Sequence, residues 1–306
     1  MATPTRKKPG KRRGDPRRDP RRDVRGTKKG PPRQQQEWSG ETDAMEPRPD
    51  HGEESYRGSG KLEGLVALIT GGDSGIGRAV AIAFAREGAD VAVTWFEHEE
   101  EAAETVSWVE RAGRRGLSLQ ADLQDPRRCR DVVERTVREL GQLDVLVNNA
   151  AYQREVDFLE LTPEQVERTF RTNVLNYLWT SQAAVPHMAP GSVILNTGSV
   201  TALEGHATLV DYAATKGGIH VLTRSLAKAL AERGIRVNCI APGPVWTPLI
   251  PATLDPDHVE RFGSSTLWER PAQPAELAPS YVFLASADAA YYTGDLLAPT
   301  GRTPSR

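Results

Sequence analysis

Residues 65–77 read Leu65-Val66-Ala67-Leu68-Ile69-Thr70-Gly71-Gly72-Asp73-Ser74-Gly75-Ile76-Gly77. The first half is a short apolar run that stops at glycines, which is typical of a buried strand. The second half leads into a helical pattern over residues 76–87. Glycines in such a turn permit a tight bend and a close backbone approach to a phosphate group, and the first N–H groups of the helix attract an anion. The spacing is neither G-x-G-x-x-G nor a lysine-bearing P-loop, so the turn alone also fits a simple helix start.

Strand-like and helix-like segments alternate along the rest of the chain. Further strands are predicted at 90–95, 117–120, 143–147, 192–196, 235–240 and near Leu296, and further helices at 99–112, 126–140, 163–187, 209–233 and 274–286. This alternation indicates βαβ units with right-handed crossovers, and therefore a parallel sheet with helices on both faces. The sequence predicts one doubly wound, Rossmann-like α/β domain over residues 61–306. Residues 246–271 are rich in proline and lack a period, and they are predicted to form a lid.

Residues 1–60 differ from this domain in composition. Val24 is their only Val, Ile or Leu, and such a segment buries too little apolar surface to offset the entropy of ordering. We therefore expect a disordered arm. Its first part, residues 1–33, holds 14 of the 39 Lys and Arg residues but only 3 of the 41 Asp and Glu residues. A basic arm on an acidic body could contact nucleic acid, an anionic surface or a neighbouring subunit, or remain a solvated tail.

Composition also narrows the compartment and the chemistry. The two cysteines and six histidines show no metal-ligand or redox spacing, so no metal site is predicted. No apolar segment follows the N-terminal arginines as it would in a secretory signal, and no apolar stretch approaches the ~20 residues that span a bilayer. The expected location is the cytoplasm.

Tyr212 and Lys216 are four residues apart on a predicted helix, so their side chains share one face. Ser199 lies upstream, just after a predicted strand. A tyrosine with an ordinary pKa of ~10 is a poor acid–base catalyst at neutral pH, and a neighbouring ammonium favours its phenolate. A Tyr–Lys pair by itself is usually a surface pair. Together with Ser199 and the glycine turn it indicates a proton-transfer site.

These motifs, in this order, resemble the short-chain dehydrogenase/reductase family, and the resemblance extends from Leu62 to about Gly301. Asp122-Leu123 resembles the family's adenine-contacting segment. Asn148-Asn149-Ala150 resembles its Asn-Asn-Ala-Gly signature, with Ala151 in place of the glycine. Residues 242–247 resemble the segment over the nicotinamide. Residues 45–49 and 55–62, with the Asp73-Ser74 form of the turn, are similar to a bacterial subgroup with an N-terminal extension that includes stress-associated and aldehyde-reductase members.

The resemblance implies an NAD(P)-dependent oxidoreductase that moves a hydride between nicotinamide and a small aldehyde, ketone, sugar or alcohol. Tyr212 would exchange the proton, Ser199 would polarise the carbonyl group, Lys216 would lower the pKa of Tyr212 and bind the ribose, and Asn173 would hold a water in the proton relay. The implied cofactor-binding residues are Gly71, Asp73, Ser74, Gly75, Ile76, Gly77, Asp122, Leu123, Asn149, Ala150, Tyr212, Lys216, Pro242, Gly243, Val245 and Thr247. The helices at 163–187 and 209–233 resemble those that pair in family homotetramers.

Some alternatives stay open at this stage. The sequence around the end of the second strand reads Thr94-Trp95-Phe96-Glu97. Neither a carboxylate nor an arginine stands right at the strand end, so the choice between NAD and NADP is undecided. The apolar wall of the substrate site is expected from Trp246, Leu249, Ile250, Phe262 and Trp268. A protein that only senses NAD(P), or one that acts on nucleic acid or a surface through the basic arm, is the alternative function.

Overall fold

The computed structural model describes residues 19–22 and 30–302. The strands are β1 Val66–Ile69, β2 Asp90–Trp95, β3 Gly116–Gln120, β4 Val145–Asn148, β5 Val193–Thr197, β6 Arg236–Ile240 and β7 Leu296–Leu297. They form one parallel sheet in the order β3-β2-β1-β4-β5-β6-β7. The predicted doubly wound fold is confirmed.

Helices connect these strands. The α-helices are α1 Gly75–Arg86, α2 Glu99–Arg111, α3 Pro126–Leu140, α4 Pro163–Phe170, α5 Asn176–Ala184, α6 Thr201–Glu204, α7 Val210–Leu230, α8 Leu249–Thr253, α9 Pro256–Arg261 and α10 Pro274–Ala285. A π-helical turn, Arg171–Leu175, joins α4 to α5, and short 3-10 turns occupy Phe158–Glu160, Val185–His187, Ala231–Arg233 and Ala287–Ala289. The long helix predicted over 163–187 is therefore continuous but widened in its middle.

The sheet is buried on both faces because apolar residues predominate in its central strands. In β1, Ala67 and Ile69 face a cluster that includes α1 and α10, whereas Val66 and Leu68 face a cluster that includes α3 and the end of α7. This alternation follows from the two-residue repeat of a strand. Two apolar layers therefore hold the sheet rigid beneath its carboxyl edge.

The direction in which successive strands are added to the sheet reverses between β1 and β4. These two strands are neighbours in the sheet although two strands separate them in sequence. From β1 the next strands continue outward to β2 and β3, and from β4 they continue outward to β5 and β6. The loops at the carboxyl ends of β1 and β4 therefore diverge and open a crevice between them. In open α/β sheets this switch point is where ligands bind.

Residues 30–60 correct one expectation. They were expected to belong to a disordered arm, but in the structure they lie against the domain. Met45 is 3% exposed in an apolar cluster with Trp246, Ile250 and Val259, and the Trp246 indole donates a 2.7 Å hydrogen bond to the Pro47 carbonyl. One methionine and several polar contacts replace the aliphatic residues that this segment lacks. The expectation for residues 1–29 lies outside the described residues, apart from residues 19–22.

The predicted lid contains two short helices, α8 and α9, that its lack of periodicity did not reveal. Asp255 caps α9 by accepting hydrogen bonds from the backbone N–H groups of Asp257 and His258. Arg33, at the end of the basic stretch, forms an ion pair with Asp257. In the part of the chain that the structure describes, no helix is long and apolar enough to cross a bilayer.

Candidate active site

A cleft of about 740 Å³ opens at the carboxyl edge of the sheet, above the switch point. The structure brings nearly all the predicted site residues to this one cleft. Those that line it are Gly71, Asp73, Ser74, Gly75, Ile76, Asp122, Leu123, Asn149, Ala150, Ser199, Tyr212, Lys216, Pro242, Gly243, Val245 and Thr247. Gly77 and Asn173 lie just outside its lining, and each supports a residue within it.

Gly71 and Gly77 of the glycine turn must be glycine for different reasons. Gly71 has a φ of 62°, a conformation that L side chains rarely adopt. A Cβ atom on Gly77 would lie 2.0 Å from the carbonyl oxygen of Gly71 and 2.8 Å from Asn149 Nδ2. Gly77 thus lets α1 start directly against the turn. Gly77, which was predicted to bind the cofactor, therefore acts on the site indirectly, by allowing the turn to pack against α1.

The same turn is fixed to β4 by hydrogen bonds. The Thr70 hydroxyl accepts from the backbone N–H groups of Asn149 and Ala150 at 2.8 and 3.1 Å. In return the Asn149 side chain donates to the carbonyl oxygens of Thr70 and Gly71 at 3.1 and 3.0 Å. These bonds join the two sides of the switch point and fix the shape of the turn.

The start of α1 fits an anionic group. Ser74 is the N-cap residue, but its side chain makes no capping hydrogen bond to the helix. The first N–H groups of a helix carry a partial positive charge and need an acceptor from a side chain, from water or from a ligand. The turn and the helix start therefore form a cradle that would hold the pyrophosphate of a dinucleotide.

Ser199, Tyr212 and Lys216 meet on the other side of the cleft. They are 8%, 9% and 1% exposed, so the cleft reaches groups that bulk water barely touches. Ser199 follows β5, and its hydroxyl accepts from the Thr201 hydroxyl at 2.9 Å. The Lys216 ammonium lies 5.4 Å from the centre of the Tyr212 ring. The spacing that sequence analysis singled out therefore corresponds to one cluster in space.

Burial dominates the electrostatics of this cluster. Burial raises the pKa of Tyr212 to about 12, and a hydrogen bond with Ser199 acts in the opposite direction. Burial also lowers the pKa of Lys216 to about 8. In both cases the uncharged form is favoured because the site is poorly solvated. At neutral pH the protein without cofactor therefore holds a protonated tyrosine beside a mostly protonated lysine.

Asn173 lies in the π-helical turn and is completely buried. Its side-chain oxygen accepts from the Tyr152 N–H at 2.7 Å, and its amide group donates to the Tyr152 carbonyl and to the Thr215 hydroxyl at 2.9 and 3.0 Å. The side chain thus fastens the wide turn to the loop after β4 and to α7. These three bonds use the amide group, and none of them reaches Lys216.

Thr197, at the end of β5, is a site residue that sequence analysis missed. Its carbonyl oxygen accepts a 2.8 Å hydrogen bond from Lys216 Nζ, and its hydroxyl lies 2.9 Å from the Tyr281 hydroxyl. The Thr197 hydroxyl also donates to Asn149 Oδ1 at 3.4 Å. A polar chain therefore connects the lysine with the glycine turn. No local motif marks Thr197, because its role depends on neighbouring strands.

The N-terminal segment supplies a second group of missed residues. Trp38, Ser39 and Gly40 line the cleft. The Trp38 ring packs edge-on against Tyr152 with 4.8 Å between ring centres, and the Arg168 guanidinium lies over both rings. Trp38 is the first aromatic residue of the chain, and this was the only local signal of an anchor.

The substrate wall differs in part from the expected one. Leu249, Ile250 and Phe262 line the cleft as predicted, but Trp246 and Trp268 do not. Trp246 is 1% exposed and faces Pro47, whereas Trp268 is exposed on the outer side of the lid.

Polar groups complete the mouth of the cleft. His258 of α9 lies 3.2 Å from a carboxylate oxygen of Glu155 and 3.0 Å from one of Asp255, and Arg302 pairs with Glu204. The carboxylates of Glu155 and Asp255 lie near His258 closely enough to resemble a metal site. The contact of His258 with Glu155 accounts for this cluster as a junction between the lid and the body.

Comparison with known proteins agrees with the fold and the site described above. A family model described as enoyl-(acyl carrier protein) reductase matches residues 71–301. The chain belongs to the short-chain dehydrogenase/reductase family, whose members are NAD(P)-dependent oxidoreductases. The resemblance noted in the sequence is thereby confirmed.

One relative is general stress protein 39 of Bacillus subtilis, which is 48% identical over 84% of this chain and 90% of the relative. Another is glucose and ribitol dehydrogenase of Daucus carota, which is 46% identical over 89% of this chain and 96% of the relative. The chloroplastic NADPH-dependent aldehyde reductase 1 of Arabidopsis thaliana is 47% identical over 86% and 94%. A short-chain dehydrogenase from Burkholderia cenocepacia, solved in complex with NADP, superposes with a TM-score of 0.76 at 35% identity over 79% of this chain and 98% of that one.

Proposed function

We propose that this protein reduces a small aldehyde, ketone or sugar carbonyl group, or oxidises the matching alcohol, with NAD or NADP as hydride carrier. The observation that carries the proposal is the meeting of Ser199, Tyr212 and Lys216 in the cleft that also contains the glycine turn. The relatives support it, since two are named for a polyol or sugar and for an aldehyde. The nicotinamide coenzyme supplies the hydride acceptor or donor when bound.

Tyr212 is the proposed acid–base group. In the reductive direction it donates its proton to the carbonyl oxygen of the substrate, and burial keeps that proton in place at neutral pH. Ser199 polarises the same oxygen through its hydroxyl group. Lys216 favours the phenolate that remains, because its ammonium lies beside the ring. Lys216 and the glycine turn would hold the ribose and the pyrophosphate.

Asn173 is proposed as a positioning residue for the proton relay. Its side chain holds the π-helical turn against Thr215 of α7, one residue before Lys216. A turn fixed in this way can present a backbone group to a water beside the lysine. Its role therefore rests on the shape of the turn, since its amide group is already bonded.

The mouth of the cleft favours a substrate with polar groups. Five polar or charged residues lie around it: Glu155, His206, His258, Arg261 and Arg302. Two members of the predicted apolar wall, Trp246 and Trp268, do not line the cleft. Hydroxyl groups of a sugar or polyol could bond to such side chains, whereas a purely apolar substrate would displace water from them without offering a hydrogen bond. We propose that hydroxylated carbonyl compounds are better substrates than alkyl ones.

We further propose a homotetramer. Apolar side chains on α5 and α7 are exposed in the isolated chain, with Leu178 at 40% and Val221 at 59%. Scattered exposed apolar residues are ordinary, but these lie on the helices expected to pair. Light scattering should give four chains per particle, and Val221→Glu should reduce that number. A monomeric wild-type protein would refute the proposal.

The reaction is tested by following nicotinamide absorbance with aldehydes, ketones and sugars, and with both NADH and NADPH. Tyr212→Phe should lose activity by ~10²-fold or more, as expected for a lost acid–base group, and should still bind the coenzyme. Tyr291→Phe is the matched control, because Tyr291 is 99% exposed. Equal activity of both variants would remove Tyr212 from the mechanism. Coenzyme binding without any turnover would instead favour an NAD(P)-sensing protein.

A further inference from the structure

Two parts of the chain meet at the adenosine end of the cleft. Glu97 and His98 follow β2, where dinucleotide-binding folds contact the adenosine ribose. Ser39 of the N-terminal segment reaches both: its hydroxyl donates to Glu97 Oε2 at 2.7 Å and lies 2.6 Å from His98 Nε2. All three residues line the cleft. The end of β2, which is incomplete as a ribose site on its own, thus acquires a hydroxyl group from a remote segment.

Contacts on either side hold Ser39 in this place. The backbone N–H and hydroxyl groups of Thr42 donate to the carboxylate of Glu101, and Arg48 donates to Glu104 at 2.9 Å. On the other side Trp38 packs against Tyr152. Because the segment is bound on both sides of Ser39, the hydroxyl group is a fixed part of the cleft wall.

The charged groups at this end of the cleft are carboxylates, which accept hydrogen bonds. Glu97 and Asp73 both line the cleft. Burial raises the pKa of Asp73 to about 6, so it is still mostly ionised at neutral pH. Among the described residues, no Lys or Arg of the glycine turn, of the loop after β2 or of the loop after β3 lines the cleft.

The buried guanidinium group of Arg78, on α1, is already engaged. Arg78 is 0% exposed, and its guanidinium donates to the Asp73 carbonyl at 2.8 Å, to Glu104 at 2.8 Å and to the Glu101 carbonyl at 3.0 Å. A guanidinium bound in this way neutralises the carboxylates of α2, and Arg78 does not line the cleft. It therefore offers nothing to a phosphate group there.

We infer that Ser39, Glu97 and His98 read the 2′ position of the adenosine ribose, and that the protein prefers NAD(H) to NADP(H). A ribose hydroxyl can donate to the Glu97 carboxylate, whereas a 2′-phosphate would place about two negative charges beside it. This inference rests on the proposed function. The coenzyme it assigns differs from the NADP that the solved relative contains. It makes the N-terminal segment part of the cofactor site.

The test is equilibrium binding of NADH and of NADPH to the full chain, followed by nicotinamide fluorescence. The wild-type protein should bind NADH at least ~10-fold more tightly than NADPH, and Glu97→Lys should reduce that ratio ~10-fold or more. Glu99→Lys adds the same charge two residues away, outside the cleft lining, and should change the ratio less than ~3-fold. Ser39→Ala should weaken NADH binding ~3-fold or more while NADPH binding changes less.

Tighter binding of NADPH by the wild-type protein would overturn the inference. Equal shifts in Glu97→Lys and Glu99→Lys would overturn it as well, since only long-range charge would then matter, and unchanged binding in Ser39→Ala would remove Ser39 from the site. Thermal unfolding of each variant checks that it is folded. The measurement needs no turnover, so a preference for NADH in a protein that lacks reductase activity would support the inference and refute the proposed function.

Discussion

Lys216 Nζ donates a 2.8 Å hydrogen bond to the carbonyl oxygen of Thr197. The bond joins the middle of α7 to the carboxyl end of β5. Since the acceptor belongs to the backbone of the sheet, the position of the ammonium does not depend on Tyr212. The lysine is thus held in place before any ligand arrives, although its burial lowers its pKa to about 8.

Replacing Lys216 with methionine should lower kcat/KM by ~10²-fold and weaken coenzyme binding, because the variant keeps the shape but removes the charge beside Tyr212. Initial rates and coenzyme titration measure the two effects. Lys228→Met, on the exposed side of the same helix, is the control and should change neither. If Lys216→Met kept full activity, the proposed pKa effect on Tyr212 would be wrong.

Gly77→Ala should abolish tight coenzyme binding, because the added methyl group would lie 2.0 Å from the Gly71 carbonyl oxygen and would displace the turn. We expect affinity to fall by ~10²-fold or more in a coenzyme titration, in line with a lost anion cradle. Gly217→Ala on α7 has open space around it and should leave affinity unchanged. Similar affinities for both variants would contradict the assignment of the turn.

Met45→Ala should loosen the lid more than the domain. Met45 packs against Trp246, Ile250 and Val259, so its loss leaves a cavity worth ~2–4 kcal/mol between the N-terminal segment and the lid. Hydrogen exchange should accelerate in residues 30–60 and 246–262, and KM for the carbonyl substrate should rise.

Met188→Ala is the matched control for that variant. Met188 is 5% exposed within the core beneath the sheet, and its removal should lower the unfolding temperature of the whole domain. An equal drop in unfolding temperature for Met45→Ala, without faster exchange in the lid, would argue against a separate lid cluster.

His220 should make the protein sensitive to acid. It is 7% exposed, its Nε2 atom has no partner among the described residues, and burial lowers its pKa from 6.5 to about 4. Between these values the unfolded chain binds more protons than the folded one. The free energy of unfolding should therefore decrease as the pH falls from 6.5 to 4, by on the order of 2 kcal/mol.

Chemical unfolding at pH 7 and at pH 4.5 measures this effect. His220→Gln should flatten the pH dependence, whereas His187→Gln, at an exposed position, should leave it as in the wild type. An unchanged slope in His220→Gln would assign the acid sensitivity to other groups.

The fold and half of the site could be predicted because their signals are local. The run from Leu65 to Gly77 contains both the strand and the turn. Tyr212 and Lys216 are four residues apart, and this spacing places them on one face of any helix. Each of these features depends on neighbours in sequence, and each lies where it was expected.

The remainder depends on contacts between distant residues. Trp38 and Met45 are isolated apolar residues in a polar segment. Only the fold shows that Trp38 packs against Tyr152 and that Met45 packs against the lid. Trp246 was assigned to the substrate wall from its position in the lid, yet its indole faces Pro47. The sequence around Glu97 left the choice between NAD and NADP undecided. Only the fold shows that this carboxylate contacts Ser39, which lies 58 residues before it, and that both residues line the cleft.

The N-terminal segment touches both ends of the cleft. Gln36 donates to the Pro251 carbonyl of the lid, and Ser39 contacts Glu97 beside the proposed adenosine site. A movement that frees the coenzyme must therefore also disturb the lid over the carbonyl substrate. In steady-state terms we expect a compulsory order, in which the nicotinamide coenzyme binds first and leaves last, with product inhibition that is competitive only between its oxidised and reduced forms.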